Sequence, residues 1–588
     1  MADQQPTTTT TTTAAAPAAA LAPAASSVAR TKGLRLLGAA FTNRKTGVML
    51  VLGMASGLPY ALLLGTLYAW LGETGVDLET MGVFSLIGLA YAFKFLWSPL
   101  VDRLRLPLLW RLGRRRGWLV PIQALVGLAL ISLSALDPNT SLGLFSLLAG
   151  IAAFASATQD IVIDAWRVEM ADDVATLDLL SAVYQLGYRL AALAGGALAL
   201  VLAARIGWPA VYFWMGLFML FAMLASWFAP DTKWQPGDAL AGDTSGLPLK
   251  VRAIALAIVG TLWGWALVTV IVFMVRSLGA APADRPDAGA FIKLYGPLIV
   301  IATVMVPAIV AAVLDGWRRD GRYAGGETAR SGRRMGVLDH AFRALIEPLA
   351  ELIGRLRWAA ILVLAIILTF RLTDSIWGPF ALPFYLQELK YTNDEVAVAS
   401  KFFGVGMTMA GIALGAVSFA TIGRMATLVI AATVAAASNL LYADLALGGR
   451  GLDVFGNTSG FYWLTAQFGS DERFSRLLLA ITGENLAGGF AGAAFVAYLS
   501  SITSKSHAAV QYALLSSLTV LVGSLGRAAL GEKIDSGGYA PVFFLTAGLG
   551  VIAVVLCALE WARTARSGAR SRVQAGTSPL AASTDPAR

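Results

Sequence analysis

Ala155-Ser156-Ala157-Thr158-Gln159-Asp160-Ile161-Val162-Ile163-Asp164-Ala165-Trp166-Arg167 closes an apolar run that begins near Leu142. A charge inside such a run is costly in a bilayer and is rarely kept without a use. Asp160 lies several residues inside the run. Asp164 follows one turn later on the same helix face, and Arg167 comes at i+3 from it. The stretch reads as a membrane helix that lines the inner part of a transport cavity.

The rest of the chain supports a membrane setting. Of its 588 residues 57% are hydrophobic and only 14% charged, too few polar groups to cover a soluble protein of this size. Apolar runs of about 20 residues recur, each long enough to cross a bilayer as a helix. The formal net charge of +9 is not a nucleic-acid signal, because the arginines fall in short loops between apolar runs, where they report orientation. One cysteine, Cys557, excludes an intramolecular disulfide. His340 and His507 are far apart in sequence, and with no cysteine cluster neither a metal nor another cofactor is expected.

Residues 1–42 are a Thr/Ala/Pro tract without a signal-peptide pattern and read as a disordered cytoplasmic tail. Six spans are expected over residues 43–229: Gly47 to Leu71, Met81 to Val101, Trp118 to Leu136, Leu142 to Ala165, Leu180 to Ala203 and Trp208 to Phe228. Gly53, Gly57, Gly65 and Pro59 suit the first to close helix contact or a bend. The loop with Arg103, Arg105, Arg111, Arg114, Arg115 and Arg116 is placed in the cytoplasm by its positive charge. Residues 230–250 read as a linker. Residues 251–342 hold two further spans, Val251 to Val275 and Phe291 to Leu314, and a second basic cytoplasmic loop with Arg318, Arg319, Arg322, Arg330, Arg333 and Arg334.

A second six-span block is expected over residues 343–565: Trp358 to Leu386, Val396 to Ala420, Met425 to Leu447, Leu477 to Ser501, Ala508 to Leu530 and Pro541 to Ala562. A basic, disordered tail, 566–588, follows. The total is about 14 transmembrane helices with both termini inside. The class is an all-α polytopic membrane protein. Two six-helix bundles, both starting outward, plus an inserted pair suggest the major facilitator architecture, with substrate bound between the halves near mid-membrane.

Depth sorts the buried charges. With a rise of about 1.5 Å per residue, Lys94, Asp160, Asp164 and Arg189 share one inner layer, where opposite charges lower each other's desolvation cost. The alternative is an ion-pair lock that only holds helix ends together. Arg167, nearer the interface, reads as structural. Gln159 suits hydroxyl or acetamido groups, or else an interhelical hydrogen bond. Arg371 and Asp374 lie three apart in mid-span, as a self-satisfied pair or as an anion site. Glu484 is a candidate proton carrier beside Asn485, or a partner of Arg371. Trp97, Tyr188, Tyr60, Tyr68, Trp70, Tyr91, Tyr184 and Trp377 could stack on sugar rings, although helix packing explains most of them equally well. Trp118, Trp208 and Trp358 read as interface anchors.

At this point the chain resembles the AmpG family of muropeptide permeases, a branch of the major facilitator superfamily. The first half carries the resemblance in Ala55-Ser56-Gly57-Leu58-Pro59, Ala69-Trp70-Leu71, Lys94-Phe95-Leu96-Trp97 with Pro99, and Arg114-Arg115-Arg116-Gly117-Trp118. It continues in Ala157 to Val162, Asp164 to Arg167 and Leu186-Gly187-Tyr188-Arg189-Leu190. The second half adds Arg371-Leu372 with Asp374-Ser375, Ala437-Ser438-Asn439, Glu484-Asn485-Leu486 with Gly488-Gly489, and Gln511 to Ser516. The chain departs from the pattern in Arg371, where a lysine is usual, in Val510, where a threonine is common, and in a longer loop 448–473.

The resemblance implies import of anhydromuropeptides, N-acetylglucosamine joined to 1,6-anhydro-N-acetylmuramic acid with or without a stem peptide. Import would run across the inner membrane with protons, for peptidoglycan recycling, by a monomer and with a link to β-lactamase induction. Lys94, Arg189 or Arg371 would meet the substrate carboxylates. Gln159 and Asn485 would meet its acetamido and hydroxyl groups, with Tyr188 and Trp97 as ring walls. Asp160, Asp164, Asp374 and Glu484 would be the proton-coupling carboxylates. Residues 43–229 would rock against 343–562. Rival readings are a carrier of another anionic conjugate such as acetyl-CoA, a membrane-embedded glycosyl or acyl transferase, and a sensor without flux.

Overall fold

A backbone in hydrocarbon has no water to satisfy its N–H and C=O groups, so each long apolar run closes its own hydrogen bonds as a helix. The computed structural model describes residues 38, 42–76, 84, 86–104, 106–231, 247–280, 284, 286–320, 337–373 and 380–576. Asp77, Arg105, Asp374, Trp377, Arg322, Arg330, Arg333 and Arg334, most of the N-terminal tract, the 232–246 part of the linker and the last residues of the C-terminal tail lie outside them.

The first six-helix set comprises α1 (Arg44–Glu73), the short α2 (Leu86–Ala92) and α3 (Ser98–Arg103), α4 (Arg116–Ser134), α5 (Leu142–Met170), α6 (Leu177–Ile206) and α7 (Trp208–Trp227). An inserted pair follows, α8 (Leu249–Gly279) and α9 (Ala288–Trp317). Two amphipathic helices come next, α10 (Val337–Leu345) and α11 (Glu347–Leu356). The second set comprises α12 (Ala359–Thr369), α13 (Asn393–Thr421), α14 (Arg424–Ala446), α17 (Glu472–Ile502), α18 (Ala508–Gly537) and α19 (Tyr539–Gly576). Two short helices, α15 (Arg450–Thr458) and α16 (Phe461–Ala466), fill the loop between α14 and α17.

Among the described residues eleven helices are long and apolar enough to cross a membrane, or up to twelve if the pair α11–α12, bent by 106°, counts as one. The expected count of about 14 includes three runs that these eleven do not. The second span is broken into α2, a tight turn at Lys94–Leu96, and α3. The ninth contains residues 374–379, which lie outside the described residues. The thirteenth is α18, whose side chains from 521 to 533 lie outside the description.

Helix pairing repeats between the two sets. Third packs on sixth (α4 on α7, α14 on α19), third on fourth (α4 on α5, α14 on α17) and first on fifth (α1 on α6, α12 on α18). Across the midline, α6 packs on α13 and α17, and α18 packs on α2, α3 and α5. The fifth helix of each set thus meets the second and fourth of the other. That pairing is what two parallel repeats facing each other across a central gap require. Small residues permit the close approach: a Cβ on Gly53 or Gly57 of α1 would stand 2.4 or 2.5 Å from a backbone oxygen of α6. Gly65 meets nothing within 4 Å and lies in a wide turn, Leu62–Thr66.

The inserted pair lies along the seam between the sets. Phe291 of α9 stacks edge-on against Phe93, Trp263 of α8 against Phe95, and α9 also packs on α18. Helices α10 and α11 bury one stripe, Phe342, Ile346, Leu349, Leu352 and Leu356, at helical spacing. They strap the arginine-rich end of the molecule, hereafter the basic end. Arg103 donates to the Arg343 carbonyl (2.9 Å), Gln511 to the Pro348 carbonyl and to Glu351 (2.7 Å each), and Arg355 to the Ile502 carbonyl (2.7 Å).

Candidate functional site

The break in the second span sets the site. Pro99 has no N–H to give to the carbonyl four residues before it and its ring crowds that carbonyl, so regular helix cannot run on through this point; Pro99 instead sits in the first turn of α3. The chain takes a tight turn at Lys94–Leu96, with Ser98 Oγ donating to the Phe95 carbonyl at 2.8 Å. The turn places the Lys94 ammonium 3.8 Å from both Asp160 and Asp164 on α5. Lys94 is shared between the two carboxylates, and all three are buried.

Each member is tied further. Ser56 of α1 donates to Asp160 at 2.5 Å and is 2.9 Å from the Tyr184 hydroxyl on α6. Asp164 accepts from Arg167 at 2.9 Å. Arg167 is fully buried; it donates to Ser500 of α17 at 3.2 Å and lies between the rings of Tyr184 and Tyr512, 4.7 and 4.8 Å from their centroids. Arg167 therefore joins the two sets as well as anchoring α5. Gln159 donates to the Ala55 carbonyl at 2.7 Å, the interhelical bond that was the alternative to ligand binding. Its Oε1 is buried without a hydrogen-bond partner. Trp97 stacks on Phe154 (4.6 Å) and its indole N–H reaches Thr158 at 3.1 Å.

The other candidates gather elsewhere. A cavity of about 200 Å³ lies between the sets, lined by Arg189 of α6, Arg371, Thr408 of α13, Ala435, Ser438 and Asn439 of α14, and Glu484, Asn485 and Gly488 of α17. Arg189, matched by depth to Lys94, thus stands with Arg371 and Glu484 instead. Asn485 accepts from Thr408 (2.9 Å) and Asn439 from Thr546 (3.0 Å), which fixes both amides. Glu484 accepts from Tyr442 at 2.5 Å. Tyr188 lies at the edge of a tyrosine group, 6.1 Å from Tyr60 and 6.3 Å from Tyr184. Asp374 is outside the described residues, so its pairing with Arg371 is not described. Among the described residues no cluster of three or more His, Cys, Asp or Glu could hold a metal ion.

Sequence reasoning passed over Ser56, Thr408 and Tyr442. The signal for Tyr442 is general: a phenol deep in an apolar run needs a partner for its O–H.

At the basic end a second buried cluster closes the gap between the sets. Arg115, fully buried, donates to Asp102 and to Glu169 at 2.6 Å each, and Asp102 accepts from the Val510 amide at the start of α18 at 3.3 Å. Arg424 pairs with Asp178 at 2.5 Å, and Lys505 reaches the Ala171 carbonyl at 3.4 Å. Burial alone would raise the Asp102 carboxyl, but Arg115 and Arg114, with the Val510 amide, hold it below the ordinary value. A carboxylate with a depressed folded value adds stability that is complete above its unfolded value and is lost as pH falls through the folded one. The thermal midpoint of the purified protein is therefore expected to drop as pH falls below about 4. Asp102→Asn should start lower and lose less over that window.

Among solved structures, the proton:xylose symporter XylE superposes with a TM-score of 0.49 at 10% identity, over 88% of this chain and 94% of that one. The family described as "Acetyl-coenzyme A transporter 1" matches residues 47–191. A protein named "Putative transporter AmpG 4" from Rickettsia conorii is 26% identical over 86% of this chain and 94% of its own length. The anhydromuropeptide permease of Escherichia coli K12 is 28% identical over 529 residues, 89% of this chain and 82% of that permease. Its repeated helix pairing and the charges buried between its sets thus belong to a polytopic membrane protein that is similar over most of its length to the anhydromuropeptide permeases.

Proposed function

We propose that the chain is an inner-membrane permease that imports anhydromuropeptides, with or without a stem peptide, coupled to protons. The basic end lies in the cytoplasm with both termini, by the excess of arginine in its loops. The observation that carries the reading is the cavity between the sets, where Arg189 and Arg371 face Glu484, Asn485 and Asn439. Two guanidiniums suit the carboxylates of a muramic acid and a stem peptide, and the amides suit acetamido and hydroxyl groups. At about 200 Å³ the cavity is below the roughly 300–1,000 Å³ of ordinary ligand pockets, so a disaccharide must part the sets to enter. Domain rocking of 43–229 against 343–562, about the inserted pair, supplies that motion.

A second reading, a carrier of a coenzyme A thioester, is favoured by the match at residues 47–191. Uptake of labelled N-acetylglucosaminyl-1,6-anhydro-N-acetylmuramic acid into proteoliposomes separates the two. Accumulation that rises with an acidic exterior, and that unlabelled anhydrodisaccharide but not acetyl-CoA suppresses, is expected. Suppression by acetyl-CoA alone would favour the thioester carrier, and a new covalent product would favour a transferase.

A further inference from the structure

We propose that Tyr442 and Tyr385 form a hydroxyl relay that carries protons between Glu484 and the end of the molecule opposite the basic end. The proposal deepens the proton-coupled reading above and rests on it. Its carrier is a chain of hydrogen bonds. Tyr442 of α14 donates to Glu484 Oε2 at 2.5 Å, and the Tyr442 and Tyr385 hydroxyl oxygens are 2.7 Å apart. A phenol has one proton to donate. Tyr442 gives its proton to Glu484, so Tyr385 must be the donor in the second bond. The ionised carboxylate thereby fixes the polarity of the whole chain, each O–H pointing towards the cavity.

The chain leads away from the cavity towards the opposite end. Tyr442 lies four residues before the end of α14 at Ala446, about 6 Å along the axis. Tyr385 is in the turn Phe384–Glu388. The next residues meet the start of α17, where Arg473 donates to the Leu389 carbonyl at 3.0 Å and Tyr391 to the Arg473 carbonyl at 2.7 Å. The sleeve around the relay is aromatic. Phe384 touches both tyrosines, Phe543 packs on Tyr442 with ring centres 5.5 Å apart, and all four side chains are buried. Protein hydroxyls are thus placed where apolar rings exclude a water column.

The step balances. The Tyr442 proton moves to Glu484 Oε2, the Tyr385 proton replaces it on Tyr442, and a hydronium at the opposite end restores Tyr385 and leaves water. One proton is delivered, no electrons move, and both hydroxyls rotate to reset. Among the described residues, the charged groups that share Glu484's cavity wall are Arg189 and Arg371, beside the neutral Ser438, Asn439, Thr408 and Asn485. Neutralising Glu484 leaves two guanidiniums without its compensating charge, which favours binding of an anionic substrate.

Tyr442→Phe and Tyr385→Phe test the relay, because each removes only a hydroxyl. Two transport modes are compared in proteoliposomes: uptake driven by an imposed proton gradient, and substrate counterflow, which needs no net proton transfer. Tyr442→Phe is expected to slow driven uptake about tenfold or more while counterflow stays within about twofold, with a smaller change of the same kind for Tyr385→Phe. A parallel fall of both modes would mean that the hydroxyls only support packing. No change in either mode would show the relay idle. If driven uptake by the unaltered protein ignores the gradient, the proton-coupled reading itself fails, and the relay with it.

Discussion

Lys94→Met is expected to destabilise the protein by about 3–5 kcal/mol, the usual cost of leaving a buried charge without its partner. Here two carboxylates, Asp160 and Asp164, lose the one ammonium that both share at 3.8 Å. Arg167 still holds Asp164, so the larger deficit falls on Asp160, left with a serine hydroxyl. The thermal midpoint in detergent reports the loss. Adding Asp160→Asn to Lys94→Met should restore part of it, because the orphaned charge is then gone. A midpoint that the single substitution leaves unmoved would mean that the triad contributes no folding energy. Uptake by the double variant separates roles: a lock tolerates neutral partners, whereas a proton carrier at Asp160 does not.

Arg371→Ala is expected to weaken apparent substrate affinity by roughly 30-fold or more, the equivalent of about 2 kcal/mol or more for a desolvated, charge-assisted contact. The loss should sit in KM, since the arginine binds the substrate throughout. A substrate whose muramic carboxylate is amidated offers the control. The unaltered protein should take it up poorly, and Arg371→Ala should then cost little more. Equal losses for acid and amide would assign Arg371 to packing around Gly492, whose Cβ position lies 3.5 Å from its guanidinium.

Much of the molecule was legible in the order of residues. Apolar runs named most spans, and arginines in loops gave one consistent end. The charges inside apolar runs at Lys94, Asp160, Asp164, Arg371 and Glu484 stood out because the bilayer penalises them. Depth was less informative than it seemed for Arg189. A rise of about 1.5 Å per residue gives one coordinate along the membrane normal. Which way a side chain faces around its helix, and which helix stands opposite, are set by packing.

The sequence by itself determined the class, the apolar runs and the level of each charge, because these follow from solvation, which acts residue by residue. Only the tertiary structure decided the partners. The break at Lys94–Leu96 turns one ammonium onto two aspartates, α6 carries Arg189 to the cavity of Arg371 and Glu484, and Tyr442 reaches Glu484 from α14. Those meetings join residues up to hundreds of positions apart, and close packing of helices, which no local pattern encodes, selects them.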